Sequence, residues 1–338
     1  MGDRLVLVTG ATGYVGTVLT PMLAQHYPVR AFDTEAFGNA IAGTPNVEFV
    51  KGDVRDQQAV SAALENVTDV VHLAGIVTDD LVALNPEVGR QVNNDSLDLL
   101  CSQAAKSGVR RFIYASSSSI YGTHTVPGFS HLVYGCSESC EPQPMTEYAR
   151  QKLMGERIVN EHKEDMRVIS IRCATACGPA PRMRLDTIVN TFSAQAYFQG
   201  RITVHGGDQW RTNVHVKDVA RLYRHLLEES TSYPTGSVYN LTAGNHTAID
   251  LADIVATRFQ AIIGRDVLIE VDVSQVDQRH YLMDANRLAK DLDWRPSKGL
   301  SHAVVDNIAW FDAGHVKNWQ DDIYWNGRRM RATMLEGA

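Results

Sequence analysis

The chain has 338 residues, 44% apolar and 21% charged, a balance typical of a packed globular protein rather than a disordered one. With 32 Lys+Arg against 39 Asp+Glu its formal net charge is −7, which argues against a nucleic-acid partner. No apolar run approaches the roughly 20 residues of a membrane span. Met1-Gly2-Asp3-Arg4 leads straight into a strand-like run without the plan of a signal peptide, so a cytoplasmic location is expected.

In chain order, Arg4 to Thr9 reads as a buried strand that ends at Gly10. Thr12 to Gln25 reads as a helix, broken early by Pro21. Strands follow at Val29–Asp33, Val47–Val50 and Asp69–Leu73, with a helix over Gln57–Leu64. A long helix runs from Pro86 to Lys106 and stops at Gly108, and Arg111–Ala115 forms a fifth strand. Alternating strands and helices predict an α/β class, a Rossmann doubly wound parallel sheet. Residues 120–145, with three glycines and three prolines, break this rhythm and read as a long irregular loop. A helix over Thr146–Lys163 and a strand over Arg167–Arg172 follow. The expected division is a dinucleotide domain over 1–175 and a smaller α+β substrate lobe over 176–338, with segments interleaved.

Gly10-Ala11-Thr12-Gly13-Tyr14-Val15-Gly16 sits between the first strand and first helix. Gly10 permits the tight turn, Gly13 the approach of a pyrophosphate, and Gly16 close helix–sheet packing. The helix N-terminus offers free N–H groups and a positive dipole end to phosphate. Asp33 ends the second strand, where a carboxylate accepts from a ribose diol and repels a 2′-phosphate, so NAD is expected rather than NADP. Asp53-Val54 after the third strand suits an adenine. Leu73-Ala74-Gly75 after the fourth lets backbone meet the cofactor. Tyr148 and Lys152 stand four apart on one helical face, where a cation favours a phenolate base. Ser116 to Ser119 follow the fifth strand directly, at the ligand end of an open sheet.

These motifs, with Asn93, Tyr121-Gly122, Arg172 to Pro179, Arg211 to Ala220 and Trp294-Arg295-Pro296, resemble the extended short-chain dehydrogenase/reductase superfamily, its NAD-dependent nucleotide-sugar epimerase/dehydratase branch. The resemblance implies a catalytic set of Ser117, Tyr148 and Lys152. It also implies NAD kept on Gly10, Thr12, Gly13, Tyr14, Val15, Gly16, Asp33, Asp53, Val54, Leu73, Ala74, Gly75 and Asn93. A nucleotide-diphosphate sugar, a UDP-sugar favoured, is expected against Ser118, Ser119, Thr175, Arg182, Arg184, Asn190, Arg211 and Arg279. The serine run lacks the acids that carry protons in sugar 4,6-dehydratases, and is similar to UDP-glucuronic acid 4-epimerases. The expected reaction is therefore 4-epimerisation through a 4-keto sugar. A dehydratase, decarboxylase or reductase is the nearest alternative, and a non-catalytic NAD sensor is one from another class. The resemblance also implies a homodimer, common in the family, through two helices per subunit, here Pro86–Lys106 and Thr146–Lys163. Five cysteines in a chain with no export signal read as free thiols; no metal is expected, although Cys136/Cys140 and Cys173/Cys177 are two close pairs.

Overall fold

The computed structural model describes residues 4–126, 129–228, 232–274 and 279–336. Seven strands form its main sheet: β1 Val6–Thr9, β2 Val29–Asp33, β3 Val47–Lys51, β4 Asp69–His72, β5 Arg111–Ser117, β6 Arg167–Cys173 and β7 Ser237–Leu241. Their order is β3-β2-β1-β4-β5-β6-β7, and every neighbouring pair is parallel. The order reverses between β1 and β4, which opens a crevice at their C-terminal ends. β7 comes from the second half of the chain and forms the edge of this sheet beside β6.

The strands are continuous apolar runs because both sheet faces are covered. Val6 and Val8 point into one core with Leu19 and Leu23 of the helix Gly16–Ala24 and Leu222 and Leu226 of the helix Val216–Leu227. Leu7, Val70 and Phe112 point into the other, with Leu97 and Leu100 of the helix Ser96–Lys106. Burying each such side chain is worth about 1.5–3 kcal/mol.

Pro21 does not break its helix. The chain stays helical to Ala24, because Leu19, Thr20 and Leu23 around the proline are fully buried and tertiary packing outweighs one lost backbone bond. The long helix expected at Pro86–Lys106 is present in three parts, Pro86–Arg90, a π-helical turn over Gln91–Asp95, and Ser96–Lys106. A short helix Asp79–Leu84 escaped sequence reading.

The described residues of the 120–145 segment include regular elements. Among them are a 3-10 turn at Ser118–Tyr121 and a hairpin of Thr125–Val126 with Phe129–Val133. Cys136 then pairs with the distant Met283; its N–H donates to the Leu282 carbonyl at 3.0 Å, and the Asp284 N–H donates to its carbonyl at 2.9 Å. The smaller lobe packs helices Ile188–Gln199, Ala248–Ile263 and Leu300–Asp312 against the paired strands Arg201–His205 and Leu268–Asp272.

Candidate active site

A cleft of about 1140 Å³ lies at the C-terminal ends of the sheet strands, between the two lobes. The residues expected to act in catalysis, NAD binding and substrate binding line it, Asn93 and Asn190 excepted.

The cofactor end begins at Gly10, whose φ is +73°. A Cβ there would stand 2.6 Å from the Ala74 nitrogen, so only glycine lets the β1 and β4 loops approach this closely. At Gly16 a Cβ would stand 2.3 Å from the Gly10 carbonyl oxygen. The helix Gly16–Ala24 has no side-chain cap at its N-terminus, so no side chain competes there with an anion in the cleft. Asp33 holds the entry to this loop. Its Oδ2 accepts from the Thr12 N–H at 3.0 Å and its Oδ1 from the Glu35 N–H at 2.9 Å. Each oxygen retains a lone pair for a ribose hydroxyl. Burial works against the Asp53 carboxylate, but the hydrogen bonds and charge of Arg55, 2.6 Å away, more than offset it and lower its pKa. These features fit a dinucleotide.

At the chemical end, Thr146 caps the helix Glu147–Glu161 by accepting from the Ala149 N–H. That cap fixes the helix whose face presents Tyr148 and Lys152. The Lys152 Nζ lies 6.0 Å from the Tyr148 ring centroid and donates to the Ala115 carbonyl at 2.8 Å. Burial pushes Tyr148 up to about 12, against the pull of the Ser117 hydroxyl beside it. Burial pushes Lys152 down to about 8, against the negative charge of Glu156. Ser117 ends β5, and its Oγ accepts from both the Ser119 N–H at 3.2 Å and the Ser119 hydroxyl at 3.0 Å. That leaves the Ser117 proton free to turn toward Tyr148 or a ligand.

The substrate candidates separate into groups. Arg184 pairs with Asp186 at 2.6 Å, and its charge is felt by Tyr148. Arg211 and Arg279 flank the Tyr281 ring at 5.7 and 5.9 Å. Arg279 also reaches Asp79 at 2.5 Å across the cleft. Thr175 opens a strand, Thr175–Cys177, that pairs with Asn213–His215. Arg182 lies nearer the cofactor end, with its backbone N–H donating to Thr17 Oγ1 at 3.3 Å and its guanidinium 3.8 Å from the Phe37 ring centroid.

Two candidates do not face the cleft. Asn190 is fully buried, and its amide is engaged by Tyr14, Gly178, Arg184 and Asn307. It ties the glycine loop, through Tyr14, to the smaller lobe instead of meeting a nucleotide. Asn93 lies in the π-helical turn and exchanges two hydrogen bonds with the Ile76 backbone, at 2.8 and 3.0 Å. It shapes the loop after β4 from behind. The cysteines are free thiols. Among the described residues no His/Cys/Asp/Glu group is placed to hold a metal, and no helix is long and apolar enough to cross a membrane.

Sequence reading missed the C-terminal contribution. Trp325 to Arg328, Met330 and Arg331 line the cleft. Their helix, Asn326–Glu336, carries three basic residues in its first six, but nothing local in the sequence says where it docks.

A seven-stranded parallel sheet with a glycine turn at its switch point, and a Tyr/Lys pair beside it, defines a dinucleotide-dependent enzyme of the short-chain dehydrogenase/reductase type. Residues 6–242 match the model of the NAD dependent epimerase/dehydratase family, and the chain belongs to that family. It is 26% identical over 333 residues to the dTDP-glucose 4,6-dehydratase of Streptomyces griseus, covering 93% of this chain and 96% of the relative. It is 26% identical over 318 residues to the UDP-glucose 4-epimerase of Mycolicibacterium smegmatis, covering 90% and 97%. The solved structure of MoeE5 in complex with UDP-glucuronic acid and NAD superposes with a TM-score of 0.78 at 22% identity, over 91% of this chain and 99% of that one. NAD is the cofactor.

Proposed function

We propose that the chain is an NAD-dependent nucleotide-sugar 4-epimerase, with a UDP-sugar as substrate. The observation that carries the reading is the serine run. Ser117, Ser118 and Ser119 occupy the cleft wall beside Tyr148 with no acid among them. Loss of water from a 4-keto sugar needs a proton donor and a base near C5 and C6. The cleft carboxylate Asp79 lies outside this run and pairs with Arg279 through its Oδ2.

The cofactor, when bound, supplies the acceptor for the C4 hydride and gives the hydride back. The chain's own groups handle the proton. Tyr148 removes it from the C4 hydroxyl, and Ser117 shares the hydrogen bond. The Lys152 cation stabilises the phenolate and is itself positioned by the Ala115 carbonyl. Burial raises the phenol's pKa to about 12, so the phenolate relies on the positive charge around it. Arg211 and Arg279 suit the sugar-nucleotide diphosphate, since guanidinium matches phosphate geometry. The neutral hydroxyls of Ser118, Ser119 and Thr175 suit a sugar carboxylate or hydroxyl. A homodimer through the helices Pro86–Lys106 and Glu147–Glu161 is part of this reading, supported by the exposed Met154 on the second. A cytoplasmic site of action is part of it too.

The test is a panel of UDP-, GDP-, CDP- and dTDP-sugars, with product configuration read by NMR and reduced nicotinamide followed by its absorbance. The reading expects inversion at C4 with no lasting reduced nicotinamide. Stoichiometric reduced nicotinamide, or a deoxy product, would replace it with an oxidoreductase or dehydratase.

A further inference from the structure

We propose that the C-terminal helix Asn326–Glu336 is a strap that retains the dinucleotide, and that Arg182, pinned beneath it, is a cofactor contact. The inference concerns NAD retention and does not rest on which reaction the enzyme performs.

The strap is fastened at three points around the cleft mouth. Its start is held by the smaller lobe: the Asn326 N–H donates to Asp186 Oδ2 at 3.1 Å, and the Asn326 amide oxygen accepts from Arg182. One turn on, Arg329 Nε donates to the Ala36 carbonyl at 3.2 Å, on the segment that follows β2. Met330 packs against the cluster of Ile76, Leu81 and Val82, which follows β4. Those two anchor segments flank the crevice in which Asp33 and Gly75 stand. The helix therefore crosses from one lobe to the other over the groove that a dinucleotide would occupy, and Arg328 and Arg331 line that groove.

Arg182 lies under the strap. Its side chain is more than nine-tenths buried, yet its Nε has no hydrogen-bond partner among the described residues. A buried guanidinium N–H without an acceptor is costly unless a ligand supplies one. Burial, with the like charge of Arg184, lowers its pKa to about 10, and an anion would relieve both. Its surroundings name the anion. Its guanidinium sits on Phe37 and faces the charge of Asp33, while its backbone N–H donates to Thr17 Oγ1 at the glycine-loop helix. These groups belong to the adenosine and pyrophosphate side of the cleft. A pyrophosphate or ribose oxygen accepting from Nε would complete Arg182, while Asn326 holds the guanidinium in place.

Retention has a purpose in any cycle that oxidises and then reduces the same substrate. A reduced cofactor that escaped would leave the enzyme unable to finish the turnover. The strap can hold it without touching the reacting carbon.

The experiment uses the full chain loaded with NAD. Free nucleotide is removed by gel filtration, and the NAD still bound is measured over time. Arg182→Ala and Met330→Glu should each release NAD at least about tenfold faster than the unmodified protein. Amide hydrogen exchange of the unmodified protein supplies an arm that needs no variant: exchange over residues 326–331 should slow when NAD is added. Unchanged release from both variants, at a temperature where their melting curves show them folded, would overturn the proposal. So would exchange in 326–331 that ignores NAD.

Discussion

Arg172 meets Glu156 with two parallel hydrogen bonds, Nε to Oε1 at 3.0 Å and Nη2 to Oε2 at 2.8 Å, and both side chains are buried. Ser116 donates to the same carboxylate at 2.5 Å, while Arg172 also donates to the Tyr121 hydroxyl at 2.8 Å. Tyr121 in turn donates to Asn240 at 2.7 Å. The chain of bonds ties the helix of Tyr148 and Lys152 to β5, β6 and β7, and so fixes the catalytic helix on the sheet.

Removing one member of such a pair strands a buried charge. Glu156→Ala should destabilise the fold by about 3–5 kcal/mol, read by urea unfolding. A loss below about 1 kcal/mol would show that the pair does not anchor the helix.

Tyr148→Phe keeps the ring and its packing but deletes the proton acceptor. It should retain NAD and lose about 10²–10⁴ in kcat, the usual worth of a positioned acid–base group. Turnover within a few-fold of the unmodified enzyme would remove Tyr148 from its assigned role.

Lys152 sets an alkaline limit. Burial holds its ammonium at a pKa of about 8, so the cation is present below that pH and lost above it. In steady-state assays kcat/KM should fall as pH rises through about 8, because that ratio reports groups of the free enzyme. Lys152→Arg keeps its charge far higher. Whatever activity it retains should show no such fall, and an identical alkaline limb in both proteins would contradict the assignment.

His72 makes an acid prediction. Burial, with the charge of Lys152, lowers its pKa from 6.5 to about 3, and its Nδ1 lies 2.8 Å from Thr9 Oγ1. Below about pH 6.5 the unfolded chain takes up a proton that the fold refuses until about pH 3. Stability from this site is thus complete above 6.5 and lost as pH falls toward 3. Thermal melts from about pH 7 to about pH 4 should fall, and His72→Gln should flatten the slope. An equal slope in the variant would place the acid sensitivity elsewhere.

What could be read from sequence was local. The glycine turn declares itself because β1, the turn and the helix are contiguous, and Asp33 because it ends the very next strand. Tyr148 and Lys152 share a face through helical spacing alone. Arg172 and Glu156 were not legible as a pair, since only the packing of β6 against the helix Glu147–Glu161 brings them together. Asn190 was misplaced for a related reason: a polar residue on a helix can face a cleft or a buried network, and the neighbours Tyr14 and Asn307 lie 176 and 117 residues away. The strap is the extreme case, with Arg329 reaching Ala36 across 293 residues.

The most direct test of the central claim uses a UDP-sugar carrying deuterium at C4, with the product read by NMR. The account predicts a C4-inverted sugar that keeps its deuterium at C4, because the hydride returns to the carbon it left. Deuterium found at C6 of a deoxy sugar, or left on released cofactor, would contradict it.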